Sequence, residues 1–222
     1  MFLEIPDILG PTEVERLRAL AAEAPFADGR ITSPHSKVKN NLQIDHTDRR
    51  YEESSKIMGA ALQRSETFRN FAFPRRLAPP MLAKYRPGMN YGIHSDAAFI
   101  PIGVNPLRSD VSCTLFLADP QTYDGGELVV HLGSTKAQFK GVAGSIVLYP
   151  SHYLHEVAPV RNGERLVGLT FIESSIPDPS HRELLFHLDE VGALEGYNMS
   201  WENRTRLQFV RNNLRRMWGE AE

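Results

Sequence analysis

His94, Ser95 and Asp96 are followed fifty-nine residues later by His155, and Arg165 stands ten residues beyond that. Two imidazoles and a carboxylate are the donor set of a non-haem iron(II) site, in which three protein ligands take one face of an octahedron and leave the other positions open. Along an extended strand, residues i and i+2 point the same way about 6.6 Å apart, so His94 and Asp96 can converge on one ion while Ser95 faces elsewhere.

The pair needs a third ligand from another strand, and His152 and His155 both offer one. They lie three positions apart, so a single extended strand carrying both turns them to opposite faces and only one can serve. Arg165 selects between them. If Asn162-Gly163 turns a hairpin, Arg165 lies on the strand returning past His155, at most about 16 Å along the ladder. Its guanidinium fork can then grip the distal carboxylate of a dicarboxylate held at the metal. His155 is therefore the expected ligand. His131, alone in ELVVHL, reads as a half-exposed strand residue, and His35, His46, His181 and His187 have no partner at ligand spacing.

Elements on either side must carry this set. Pro11 opens a segment in which Val14, Leu17, Leu20 and Ala21 recur at helical spacing. A second helix is expected over 52–70, with Ile57, Ala60, Ala61 and Phe68 as its apolar stripe. Over 71–172 the texture changes to short runs rich in Val, Leu, Tyr, Phe and Thr, broken at Asp124-Gly125-Gly126, between Gly141 and Gly144, and at Asn162-Gly163. Seven or eight strands in ~100 residues exceed one flat sheet and imply a sandwich, jelly roll or barrel. After IPDPS a helical tail follows, with Leu207, Val210, Leu214 and Met217 on one face of its last helix and Arg204, Arg211 and Arg215 outward. The class is thus α+β with a mainly β core, helices lying before and after it.

Composition narrows the setting. The chain has 222 residues, 41% hydrophobic and 23% charged, with a net charge of -2, so no general attraction to nucleic acid or to an anionic membrane surface is expected. The single cysteine, Cys113, excludes an intramolecular disulfide. MFLEIPDILG lacks the charged start and apolar run of a signal peptide, and no stretch reaches the ~20 apolar residues of a membrane span, so a cytoplasmic protein is expected. The basic face of the last helix then reads as solvated or as a homodimer contact.

The segments KYRPGMNYGIHSDAA, RSDVSCTLFLADPQTYDGGELVV and GSIVLYPSHYLHEVAPVRNGERLVGLTFIES, with KVKNNLQI nearer the N-terminus, resemble the iron(II)- and 2-oxoglutarate-dependent dioxygenases of the prolyl 4-hydroxylase-like branch, and most closely the PKHD-type hydroxylases. The resemblance is close over about 110 residues and looser over most of the chain. It implies a double-stranded β-helix, or jelly roll, over 1–175 and a helical extension over 176–222. It also implies His94, Asp96 and His155 as iron ligands and Arg165 as the 2-oxoglutarate anchor, with Tyr85 and Thr114 bordering the co-substrate. Iron(II), 2-oxoglutarate and O2, with ascorbate as an accessory reductant, are the reagents it implies. The activity is hydroxylation of a prolyl or other side chain of a peptide or protein, or of a small amino-acid-like molecule, coupled to decarboxylation of 2-oxoglutarate to succinate. Phe116 stands where some relatives carry a tyrosine for the co-substrate, and Ala97 where many carry asparagine. Residues 97–108 read as a lid, and Lys37, Asn40, Asn41 and Gln43 as polar contacts from the N-terminal segment. The rival readings are a non-catalytic metal- and 2-oxoglutarate-sensing jelly roll, and a cupin-type enzyme without 2-oxoglutarate. Arg165 argues against a site that needs metal alone.

Overall fold

The computed structural model describes residues 1–220. Helix α1 (Pro11–Glu23) starts at a proline whose missing N–H costs nothing there, and the Glu13 carboxylate accepts from the Gly10 N–H at 2.8 Å. Its buried residues are Val14, Leu17, Leu20 and Ala21, the stripe expected from their spacing. The helix expected over 52–70 is two helices, α2 (Arg49–Arg64) and α3 (Glu66–Ala72). Ser65 divides them, since its extended backbone ends α2 and its hydroxyl accepts from Phe68 N–H to cap α3. The buried face of α2 is Ser54, Met58, Ala61 and Leu62, whereas Ala60 is exposed and Ile57 half-buried.

Two antiparallel sheets form the body. The larger runs Leu3–Ile5, Ile146–Pro150, Val111–Phe116, Arg165–Ser174, Met81–Tyr85, Leu42–Ile44, Phe26–Asp28, and Pro74–Leu77 also pairs with Arg165–Ser174. The smaller runs Thr135–Phe139, Leu128–Leu132, His155–Val157, Asn90–His94, Lys39–Asn40. Strand Val111–Phe116 is buried throughout. Val111, Cys113 and Leu115 pack beneath the helices with Leu17, Met58, Leu62 and Phe68, while Phe116 packs with Tyr85, Val130, Val147, Tyr149 and Val167 between the sheets. By strand alternation Ser112 and Thr114 share the inner face with Phe116.

The connections correct one expectation. Arg165 is not on a strand that returns beside His155. Val160–Asn162 pairs instead with Asp124–Gly125, and both edges of Arg165–Ser174 are taken by Val111–Phe116 and Met81–Tyr85. The Asn162-Gly163 turn therefore carries the chain from the small sheet to the large one. The glycine breaks between Phe116 and Leu128, and between Phe139 and Ile146, do the same, which winds the strands into a jelly roll. Gly163 has φ +74, and a Cβ there would meet Thr122 O at 2.2 Å, so the crossing excludes any side chain. A true hairpin joins Leu128–Leu132 to Thr135–Phe139, with Leu132 opposite Thr135.

Helices α4 (Pro179–Glu195) and α5 (Trp201–Trp218) close the chain, and Phe73, Ile176 and Leu185 pack with Leu214 and Trp218. The phase of α5 differs from expectation. Arg211 and Arg215 turn inward to Asp189 of α4, at 3.4 and 2.7 Å, because that largely buried carboxylate needs cations; Val210 is exposed and Met217 is 72% exposed. No helix among the described residues is long and apolar enough to cross a membrane.

Candidate metal centre and co-substrate pocket

His94 ends strand Asn90–His94, and its cross-strand partner is His155. Their rings lie 4.3 Å apart. Asp96 follows just past the strand end, with Oδ1 3.7 Å from His155 Nε2. One ligand atom from each of the three residues lies within 4.8 Å of the other two. His152 is outside this cluster, exposed in the turn before the strand and packed on Tyr153. The choice between the histidines thus follows from their elements rather than from the parity of one strand. His131 is a half-buried strand residue bound to Glu156 at 3.1 Å.

Neighbours orient each donor. His94 Nδ1 lies 2.8 Å from Gly92 O, and His155 Nδ1 lies 3.0 Å from Tyr153 O. Each contact suits an Nδ1 proton and leaves Nε2 as a free lone pair, the form a metal takes. Ser112 Oγ donates to Asp96 Oδ2 at 2.5 Å and contacts Ser151 Oγ at 2.7 Å; Ser109 donates to Ser151 at 2.9 Å. Burial pushes the Asp96 carboxyl up, opposed by His155, the Ser112 bond and Lys39. Burial and the neighbouring His155 push His94 down to about 4. Two imidazoles with Nε2 lone pairs left free and one buried carboxylate make a nitrogen and oxygen donor set of the kind that suits ferrous iron.

Arg165 faces the same space from the large sheet. It is 1% exposed, and its Nε and Nη1 find no hydrogen-bond partner among the described residues. Tyr85 sits opposite it in register, with the guanidinium carbon 5.1 Å from the phenol ring centre. Tyr85 and Tyr149 are each within electrostatic reach of both Asp96 and Arg165, so the metal cluster and the guanidinium share one cleft. Asn41 Nδ2 donates to Tyr85 Oη at 3.0 Å, which leaves the phenol proton to be given elsewhere. Thr114 is buried against the Tyr149 hydroxyl. Gly126, at φ +68, leaves room for the arginine, whose Cδ a Cβ would approach to 3.0 Å. Two unpaired donors on a buried guanidinium are the complement of a carboxylate.

The N-terminal segment enters with every second residue. Lys39, Asn41 and Gln43 are buried, while Lys37 and Asn40 are exposed. Lys39 was not among the residues expected here, although alternation through KVKNNLQI marks it. Burial brings its ammonium down to about 8, while Asp96 and Asp28 pull it the other way. Residues 97–108 are more than a loop, because Phe99–Ile100 pairs with Leu107–Arg108. Arg76 holds Pro106 O and Asn105 O at 3.0 and 2.7 Å, and Val104 stands free at the tip.

A jelly roll enclosing a His-Asp-His cluster and a buried arginine defines the class of iron(II)- and 2-oxoglutarate-dependent oxygenases. Residues 80–173 match the model of the 2OG-Fe(II) oxygenase superfamily. A PKHD-type hydroxylase of Sphingopyxis alaskensis is 52% identical over 215 residues, covering 97% of this chain and 98% of that protein. The chain belongs to the PKHD-type hydroxylases of that superfamily. The fold is similar to that of a prolyl hydroxylase of Trichoplax adhaerens, solved with a hypoxia inducible factor peptide fragment (TM-score 0.59, 18% identity, 78% of this chain and 83% of that one). It is also similar to HygX of Streptomyces hygroscopicus, solved with nickel, 2-oxoglutarate and hygromycin B (TM-score 0.54, 15% identity, 78% and 83%). The protein is an iron(II)- and 2-oxoglutarate-dependent dioxygenase that hydroxylates a bound substrate.

Proposed function

We propose that His94, Asp96 and His155 hold the iron and that Arg165, flanked by Tyr85 and Thr114, receives the distal carboxylate of 2-oxoglutarate. The observation that carries this reading is the buried guanidinium, whose Nε and Nη1 have no partner among the described residues and which acts on the same two tyrosines as Asp96. Bound there, ferrous iron, 2-oxoglutarate and O2 supply the oxidation of a substrate C–H bond, with succinate and carbon dioxide as co-products. The chain's own groups set the geometry. Gly92 and Tyr153 carbonyls aim the imidazoles, and Ser112 holds one Asp96 oxygen so that the other faces His155. Asn41 turns the Tyr85 hydroxyl into a donor. Substrate enters between the 97–108 hairpin and the polar arm of Lys39, Asn41 and Gln43. We also read 1–175 as the catalytic unit and 176–222 as an extension, supported by the packing of α4 and α5 on each other and on α3.

Protein mixed anaerobically with iron(II) and then 2-oxoglutarate gives a weak visible charge-transfer band, which decays on adding O2 as 2-oxoglutarate is converted to succinate and carbon dioxide. His155→Ala abolishes iron binding, while His152→Ala retains it. Loss of iron in His152→Ala alone overturns the ligand assignment, and absence of the band in wild type overturns the site.

A further inference from the structure

Lys39 brings a charge beside the metal cluster that no ion pair among the described residues answers. It is 7% exposed, donates to Thr32 Oγ1 at 2.7 Å, and enters no ion pair among the described residues. An ammonium has three donors, and burying one without a counter-charge is costly. Asp28, which attracts it from a distance, is committed to Arg30.

Its position is fixed. Lys39 pairs with Tyr91 across the strands, its Nζ is 5.3 Å from the centre of that ring, and the ring stacks on His94 at 3.5 Å. Thr32 donates in turn to Gln43 Oε1 at 3.0 Å, which braces the ammonium from behind. The cation therefore stands one aromatic ring away from His94, within electrostatic reach of Asp96.

Charge balance says what it is for. The two charges of ferrous iron and the one of Arg165 are met by Asp96 and the two carboxylates of 2-oxoglutarate. Lys39 leaves the loaded cleft with one positive charge. We infer that Lys39, braced by Thr32 and Gln43, binds a carboxylate of the substrate beside the C–H bond that is oxidised. The inference rests on the iron and 2-oxoglutarate reading above. The carboxylate belongs to a free amino-acid-like molecule or to an acidic side chain of a peptide, and the test separates these sources.

The anaerobic iron(II)·2-oxoglutarate complex is titrated with matched pairs while its visible band is followed. One arm sets proline and leucine against their amides; the other sets an end-blocked Ala-Asp-Pro-Ala peptide against Ala-Asn-Pro-Ala. In wild type the carboxylate member of one arm perturbs the band about ten- to hundredfold more tightly than its amide, the ratio that one charge-assisted hydrogen bond supplies. The ratio falls to about one in Lys39→Met and survives in Lys39→Arg, with 2-oxoglutarate affinity within about threefold of wild type in both. Equal binding of carboxylate and amide, or binding of neither in both arms, overturns the inference. So does a Lys39→Met protein that loses iron or 2-oxoglutarate affinity, because the lysine is then a counter-ion for Asp96 or part of the co-substrate site. A wild type that forms no band overturns the site reading itself, a different result from a normal band with no carboxylate preference.

Discussion

Replacing Arg165 with methionine changes the stability of the protein in opposite directions according to whether 2-oxoglutarate is present. The side chain is 1% exposed, and its Nε and Nη1 have no hydrogen-bond partner among the described residues. An unsatisfied buried donor costs about 1–3 kcal/mol, so the ligand-free protein carries about 2–6 kcal/mol of strain at this one residue. Methionine keeps much of the length and removes both donors and the charge. It gives up the guanidinium's contact with the Tyr85 ring, worth about 1 kcal/mol. Ligand-free Arg165→Met is therefore more stable than wild type by about 1–5 kcal/mol, and at roughly 2–4 °C per kcal/mol for a chain of this size it melts several degrees higher. Affinity moves the other way. Two charge-assisted bonds at about 1.5–3 kcal/mol each make 2-oxoglutarate binding about a hundredfold to ten-thousandfold weaker. At a fixed saturating level of divalent metal, added 2-oxoglutarate raises the wild-type melting temperature by mass action and raises that of the variant far less. Thermal melts with and without 2-oxoglutarate show the two curves crossing. A variant that melts well below wild type without ligand, yet keeps the 2-oxoglutarate-dependent rise, refutes the argument, because the arginine is then a structural residue.

The remaining predictions concern the same cleft and its support. Ser112→Ala removes the 2.5 Å bond to Asp96 and weakens iron binding about ten- to hundredfold, measured by chelator competition, while Ser112→Thr restores part of it; unchanged affinity in Ser112→Ala shows that the hydroxyl does not position the carboxylate. Burial pushes the Cys113 thiol far above its usual range, so the native protein does not react with a thiol-disulfide reagent at neutral pH and yields one equivalent on denaturation. Reaction of the folded protein shows that the large sheet opens locally. Ser65→Ala removes the α3 cap and lowers stability by about 0.5–2 kcal/mol in urea, and a neutral result means that packing of Phe68 alone holds the break.

The legible parts of this chain are those where one local period decides the outcome. Val14, Leu17, Leu20 and Ala21 repeat on one helix face, and His94 and Asp96 stand two apart in an extended segment, so α1 and the approach of these two donors follow from spacing alone. His155 and Arg165 were found by an argument whose geometry the fold replaces. Asn162-Gly163 has the residues of a hairpin turn, but pairing is decided by which edges are free. Val160–Asn162 finds Asp124–Gly125, and the strand after the turn fills the centre of the other sheet. The arginine consequently reaches the site across the sandwich instead of along a ladder. The same non-local choice governs α5, where Asp189 on a different helix draws Arg211 and Arg215 to itself while Leu214 keeps the packing its spacing predicts.

Of the inward residues Lys39, Asn41 and Gln43, the sequence names the last two as polar contacts and passes over Lys39, for a different reason. Lysine, asparagine and glutamine are exposed by default, so an alternating polar run looks like an edge strand or a solvated loop. Here the alternation is inverted: these polar residues point inward and the exposed positions are Val38 and Asn40. A fold tolerates such an inversion only where buried polar groups meet each other or a ligand; Asn41 Nδ2 meets Tyr85 and Gln43 Oε1 meets Thr32, while Asn41 Oδ1 has no partner among the described residues. Lys39 keeps two donors unspent beside the iron ligands. The place where the sequence rule breaks is therefore also the place where the chemistry of the unidentified substrate is written, as a demand for negative charge.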